Sequence, residues 1–137
     1  MSAESERQIR KERFKAVFDA AVEASKDGKY DEALAGFSKA LVFQPRSLPA
    51  MRYLGDTLFK QERYEEALAC FRRALDEKPD HVVSLLNLGL VLRKLWRFEE
   101  AAAALEKAHA LAPRDTRVLF HWALSLKDAG RLTEAEE

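Results

Sequence analysis

Three histidines, one cysteine and several paired carboxylates are the side chains that could carry chemistry in this 137-residue sequence. His81, His109 and His121 have no second histidine at i+4 and no cysteine pair nearby, so the spacing of a metal site is missing. His81 falls at an expected helix start and His109 near a helix end, where exposed histidine is ordinary. Cys70 has no histidine close in sequence to act as its base, and it reads as a bystander rather than a nucleophile. The pairs Asp31-Glu32, Glu65-Glu66 and Glu99-Glu100 recur at equivalent places. Each opens a helix, where negative charge complements the positive end of the helix dipole, and no acid–base role is needed to explain them. No GxxxxGK[ST], GxGxxG or GxSxG pattern is present. The expectation is a non-enzymatic chain with no catalytic residue, no metal and no cofactor.

The bulk properties narrow the class further. Hydrophobic residues make up 47% and charged residues 34%, which suits an ordered helical protein and argues against disorder. Lys plus Arg and Asp plus Glu both number 23, so the basic excess that favours nucleic acid or an anionic membrane is absent. A lone cysteine excludes an internal disulfide and fits a reducing compartment. Residues 1–13 are charged throughout, with no apolar segment of a signal peptide, and no apolar run is long enough to span a bilayer. No nucleic-acid binding, no membrane insertion and a cytoplasmic location are expected.

What must position any functional side chain is a repeat. Prolines stand at Pro45, Pro79 and Pro113, each 34 residues apart, with alanine columns at Ala40, Ala74, Ala108 and at Ala33, Ala67, Ala101, Ala135. Tyr30, Tyr64, Phe98 and Leu132 form one large apolar column, and Phe37, Phe71 and Leu105 another. Within residues 48–81, Met51, Leu54, Gly55 and Leu58 share one helix face at i, i+3, i+4, i+7 spacing. Residues 61–63 form a turn. A second helix then places Tyr64, Ala67, Leu68, Phe71, Ala74 and Leu75 inward, until Pro79 stops it and Asp80 caps the next. Small residues such as Gly55, Ala67 and Ala74 permit close helix approach, and large ones fill the space beside them. One hairpin cannot bury this surface, whereas stacked hairpins can.

The Leu54-Gly55, Tyr64-Ala67, Phe71, Ala74 and Pro79 pattern resembles the tetratricopeptide repeat (TPR) family, over about residues 14–137. The resemblance implies an all-α, right-handed superhelical stack of antiparallel helix hairpins. It places an N-terminal helical extension at 1–13, repeats at 14–47, 48–81 and 82–115, and a partial repeat at 116–137. Repeat one departs, with Ala20 and Ala21 where Leu-Gly is usual; the fourth has Trp122 and Ala123 there. A turn is expected near Gly130, with a new helix from Leu132 that the sequence leaves short, so a longer native array is expected. Trp96 occupies the turn position of Gly28 and Gly130. If that turn is left-handed, Trp96 bears a strain of roughly 1–2 kcal/mol. Exposed there, it could be a contact hot spot or pack across the hairpin end.

In the family the first helix of each hairpin lines a concave groove that binds a protein or peptide. The implied apolar positions are Phe18, Val22, Phe59, Leu86, Leu90, Phe120 and Leu124. The polar positions are Lys15, Arg52, Asp56, Lys60, Asn87, Arg93, Lys94, Arg117, His121 and Lys127. A basic rim over an apolar floor suits an acidic peptide with bulky side chains. Some members clamp a peptide's C-terminal carboxylate; the matching positions are Arg52, Asp56, Asn87, Arg117 and His121, of which Asp56 and His121 depart from the pattern. A plain alternative pairs Asp56 with Arg52 on one helix face. The functions implied are an interaction scaffold, the recognition arm of a larger enzyme, or a self-association module joined through the open C-terminal end.

Overall fold

The computed structural model describes residues 2–136, with side chains as far as residue 130. Among the described residues there are seven helices and no strand: α1 (Ala3–Lys26), α2 (Tyr30–Phe43), α3 (Leu48–Lys60), α4 (Tyr64–Glu77), α5 (Val82–Lys94), α6 (Phe98–Leu111) and α7 (Thr116–Glu136). They form two compact units, Met1–Cys70 and Phe71–Glu137, with α4 contributing to both.

In the first unit α1 packs on α2 and α2 on α3. Ser2 opens α1 by accepting the Ser5 backbone N–H at 3.1 Å, and Glu4 and Glu6 sit in the first turn, where the helix dipole favours them. The helix runs without a break through residue 14. Its last turn closes at Gly28, φ +75°, where the Lys29 N–H reaches back to the Ala24 carbonyl at 2.8 Å. Ser47 caps α3 through the Ala50 N–H, with Pro49 in its first turn. The core is Ala21, Ala24, Ala33 and Phe37, closed by Phe18, Val22, Tyr53 and Leu54. Ala21 supplies the small residue in repeat one: a Cβ built on Gly36 would lie 2.6 Å from its Cβ, so the two helices meet at near backbone contact.

In the second unit α6 packs against α5 and α7, and α5 also touches α7. Leu85, Leu86, Leu105, Ala108 and Val118 form its core, with Leu75, Val82, Leu90 and Trp122 around it. Gly89 is the close-approach residue, since a Cβ there would stand 2.6 Å from Leu105 Cγ. Asp80 does not cap α5. The N-cap is His81, with no side-chain capping bond, and its Nδ1 lies 2.6 Å from Ser84 Oγ. Asp115 opens α7, accepting from the Arg117 and Val118 N–H groups at 3.0 and 3.4 Å.

The hairpin turn is the same device three times. Gly28, Glu62 and Trp96 all have positive φ (75°, 61° and 62°), and each is followed by a six-to-one backbone bond: Lys29 to Ala24, Arg63 to Leu58, Arg97 to Leu92. Trp96 therefore carries the left-handed strain expected of a bulky residue there. Gly130, in the same column, differs: it lies inside α7, which runs on to Glu136 in place of the expected turn and new helix.

Candidate partner-binding face

In the first unit, the α1 and α3 residues singled out from the sequence are largely claimed by aromatic packing. Phe18 stands edge-on to Phe37 at 5.7 Å and to Tyr53 at 5.5 Å, while Phe14 stacks on it at 5.4 Å. Val22 packs on the same core. Tyr53, absent from the sequence-derived set, also stacks on Phe37 at 5.5 Å and carries the Arg52 guanidinium 4.7 Å above its ring. Phe59 meets the edge of Tyr64, and the Lys60 ammonium lies 5.9 Å over Tyr30. Lys15 makes an exposed ion pair with Asp19 at 4.0 Å. Burial pushes the Asp56 carboxyl above its ordinary pKa, against the opposing pull of Arg52 and Lys60.

In the second unit, the residues on α5 and α7 are drawn together by a polar lock. Arg93 donates from Nη2 to Asp128 Oδ2 at 3.2 Å, and its Nη1 lies 3.4 Å from His121 Nδ1. Burial, then the nearby Arg93 charge, lower the His121 pKa, so the ring is held toward the neutral form. Phe120 stands edge-on to His121 at 5.2 Å and remains 59% exposed. Leu90 and Leu124 are half-buried, Asn87 likewise, and Lys94 and Lys127 are exposed. Leu86 is different: only 5% exposed, it belongs to the core, because α5 turns that face toward Leu105 and Val118. Arg117 is paired with Asp115 at 3.1 Å, so its charge is already engaged by the residue that opens its own helix.

Elsewhere the chemistry is sparse. Among the described residues no group of three or more His, Cys, Asp or Glu could hold a metal ion. Cys70 lines a shallow cavity of about 380 Å³ with Leu34, Leu54, Leu58, Arg63 and Glu66, a lining without histidine. Arg63 and Glu66 pair through two bonds of 2.9 and 2.7 Å, and Arg97 and Glu100 repeat this at 3.0 and 2.9 Å. The carboxylates at these helix starts are thus tied to structural partners. No helix among the described residues is long and apolar enough to cross a membrane.

Helix hairpins closed by one left-handed turn, with small residues at the helix crossings, define an all-α hairpin-repeat solenoid. A tetratricopeptide repeat family model matches residues 46–114, half of the chain, and the protein belongs to that family. No curated protein sequence matches it. Among solved structures, the first TPR of Spaghetti (RPAP3), bound to the HSP90 peptide SRMEEVD, is 17% identical with a TM-score of 0.83, over 87% of this chain and 94% of that one. The Arabidopsis OM64 TPR domain is 17% identical with a TM-score of 0.81, over 86% and 98%. The Thermobaculum terrenum O-GlcNAc transferase is 25% identical with a TM-score of 0.76, over 85% of this chain and 22% of that one.

Proposed function

We propose that this protein is a non-catalytic interaction scaffold of the cytoplasm that binds a peptide or partner protein on the face made by the first helices of its repeats. The observation that carries the reading is on α5 and α7. On α7 Phe120 stands well exposed one turn before half-buried Leu124, α5 carries half-buried Leu90, and the exposed Lys94 and Lys127 lie on the same two helices. Apolar side chains left open beside cations suit a guest with bulky and acidic residues. The structural likeness to a TPR domain holding SRMEEVD, a peptide with both kinds of residue, supports the same class of guest. Carboxylate clamping has less support. Arg117 is engaged by Asp115, Arg52 lies on Tyr53, and Asp56 adds an acid where an anion would have to sit. The test is a pull-down from lysate with the intact chain and with Lys94→Glu/Lys127→Glu/Phe120→Ser, after circular dichroism shows equal helicity. Partners kept by the wild type and lost by the variant support the reading, and equal retention overturns it.

The likeness to an O-GlcNAc transferase, of which this chain covers 22%, favours a second reading as the recognition arm of a larger enzyme. A native reading frame that continues into a catalytic domain would decide for it.

A further inference from the structure

Both ends of the Arg93 guanidinium fork are held by groups of α7. Nη2 donates to Asp128 Oδ2 at 3.2 Å, and Nη1 lies 3.4 Å from His121 Nδ1. His121 and Asp128 are two turns apart on one face of α7, so a single side chain from α5 reaches both. Every nitrogen of an arginine is a donor. The contact at Nδ1 therefore needs a lone pair there, which the ring has when it is neutral and carries its proton on Nε2. When the ring is protonated both of its nitrogens are donors. Nη1 then loses its acceptor, and two positive groups stand 3.4 Å apart.

The surroundings decide which of the two moves. His121 has a short side chain with the Phe120 ring edge-on to it at 5.2 Å. Arg93 has a long flexible stem, and it and Asp128 are each 24% exposed, so the guanidinium lies close to water. Its Nε–H is buried with no hydrogen-bond partner among the described residues. A buried, unpaired donor is unfavourable, and swinging out lets water satisfy it. Arg93 is thus the part that gains by leaving.

Other charges around the ring are engaged or turned outward. On α5, Lys94 is exposed. α6, which also packs on α7, sets His109 against Trp122 at 5.0 Å and leaves Glu106 and Lys107 exposed. On α7 itself Arg117 is paired with Asp115, and Lys127 is exposed. Burial and then the Arg93 charge favour the neutral ring, so the proton arrives below the ordinary 6.5.

We propose that Arg93, His121 and Asp128 form a proton-operated latch: neutral His121 keeps the Arg93 guanidinium folded against α7, and protonated His121 releases it to solvent. In acid this face presents a cation that it otherwise holds down, close to the exposed Phe120 ring. The latch belongs to the chain itself and does not depend on what binds there.

The experiment is side-chain nitrogen NMR of the intact chain from about pH 7.5 to about pH 5, across the His121 titration. Neutral His121 should carry its proton on Nε2. At the upper pH the Arg93 Nε–H should exchange with water about tenfold more slowly than that of exposed Arg114. Guanidinium exchange is base-catalysed and slows in acid, so the ratio of the two rates is the readout. It should fall to about one as His121 titrates. His121→Gln, whose amide oxygen accepts from Nη1 at any pH, should keep Arg93 protected throughout. Asp128→Ala should leave it unprotected throughout, with circular dichroism confirming that both variants are folded. A neutral ring protonated on Nδ1 overturns the proposal, and so does a rate ratio indifferent to the His121 titration. Acid release that persists in His121→Gln, or protection that survives Asp128→Ala, also overturns it.

Discussion

The two compact units solve the same packing problem with different side chains. The first closes its core with a ring cluster, Phe14, Phe18, Phe37 and Tyr53, each centroid within 5.7 Å of a neighbour. Its buried hydroxyl is satisfied: Thr57 Oγ1 donates to the Tyr53 carbonyl at 2.7 Å. The second has no such ring cluster: beside the buried Phe71 and the flanking Trp122 it relies on aliphatic residues and alanine, and the buried polar atoms without a hydrogen-bond partner among the described residues, Arg93 Nε, His109 Nδ1 and Ser125 Oγ, are all there. So are Trp96, Leu111, Leu119, Phe120 and Leu126, five of the six large exposed apolar side chains among the described residues, Val42 being the exception. One unit has spent its sticky surface on itself, and the other has kept it available. Exposed large apolar surface among the described residues is therefore concentrated in the second unit, even though the repeat pattern is uniform.

The strongest test of that contrast is to empty the ring cluster. Phe37→Ala removes a fully buried ring with two aromatic neighbours and should destabilise the fold by about 3–5 kcal/mol. Leu105→Ala, the equivalent column in the second unit, should cost about 2–4 kcal/mol. Urea denaturation of both measures the difference, and equal costs would break the comparison.

Next come the two helix crossings. Gly36→Ala drives a Cβ to 2.6 Å from Ala21 Cβ and 3.3 Å from its Cα, so backbone has to move. The atoms nearest a Gly89→Ala Cβ belong to the Leu105 side chain, which can shift, though into a full core. Both should cost about 1–3 kcal/mol, with Gly36→Ala the worse, as thermal melts would show.

A smaller effect of opposite sign is expected at the turn. Trp96→Gly relieves left-handed strain of about 1 kcal/mol, less what the tilted Trp96–Phe98 contact at 5.7 Å contributes. A slight rise in melting temperature is the expected outcome, and a fall would mean that the indole packs more firmly than its 72% exposure implies.

The smallest effect is on pH dependence, and it carries opposite signs in the two units. His121 has a folded pKa below its ordinary 6.5, so the unfolded chain takes up the proton first. The second unit's contribution is present above pH 6.5 and is lost as pH falls through the folded value. Asp56 has a folded pKa above 3.8, so its ionisation opposes folding, and that opposition is lifted as pH falls through the raised value. His121→Gln should flatten the decline just below pH 6.5, and Asp56→Asn should change only the more acidic range. Chemical denaturation at a series of pH values separates the two.

The fold was legible where geometry leaves few choices. Ala33, Ala67, Ala101 and Ala108 are fully buried because helices meet there, and the 34-residue period records those meetings. The left-handed turn could be read at Trp96 from its alignment with Gly28. Glu62 belongs to the same column, but a polar residue in a turn carries no sign of a left-handed backbone. The column misled at Gly130, where α7 continues as a helix. The site was less legible because its partners are remote in sequence. Asp128, which holds Arg93, lies 35 residues away. Leu86 occupies a position expected on the open face, yet Leu105 and Val118 close over it. Arg117 with Asp115, two residues apart, was within reach of the sequence. Its place in the repeat assigns Arg117 to the open face, whereas the acid two residues before it engages its charge.

Glycine, glutamate and tryptophan occupy one backbone conformation at the three hairpin tips, with the same return bond behind each. The tip's shape is thus indifferent to what it displays. Any residue that bears the left-handed penalty can be exchanged there without shifting the helices on either side. Each such tip is an interchangeable fitting, where a lineage can change what the molecule shows to its surroundings while leaving its frame alone.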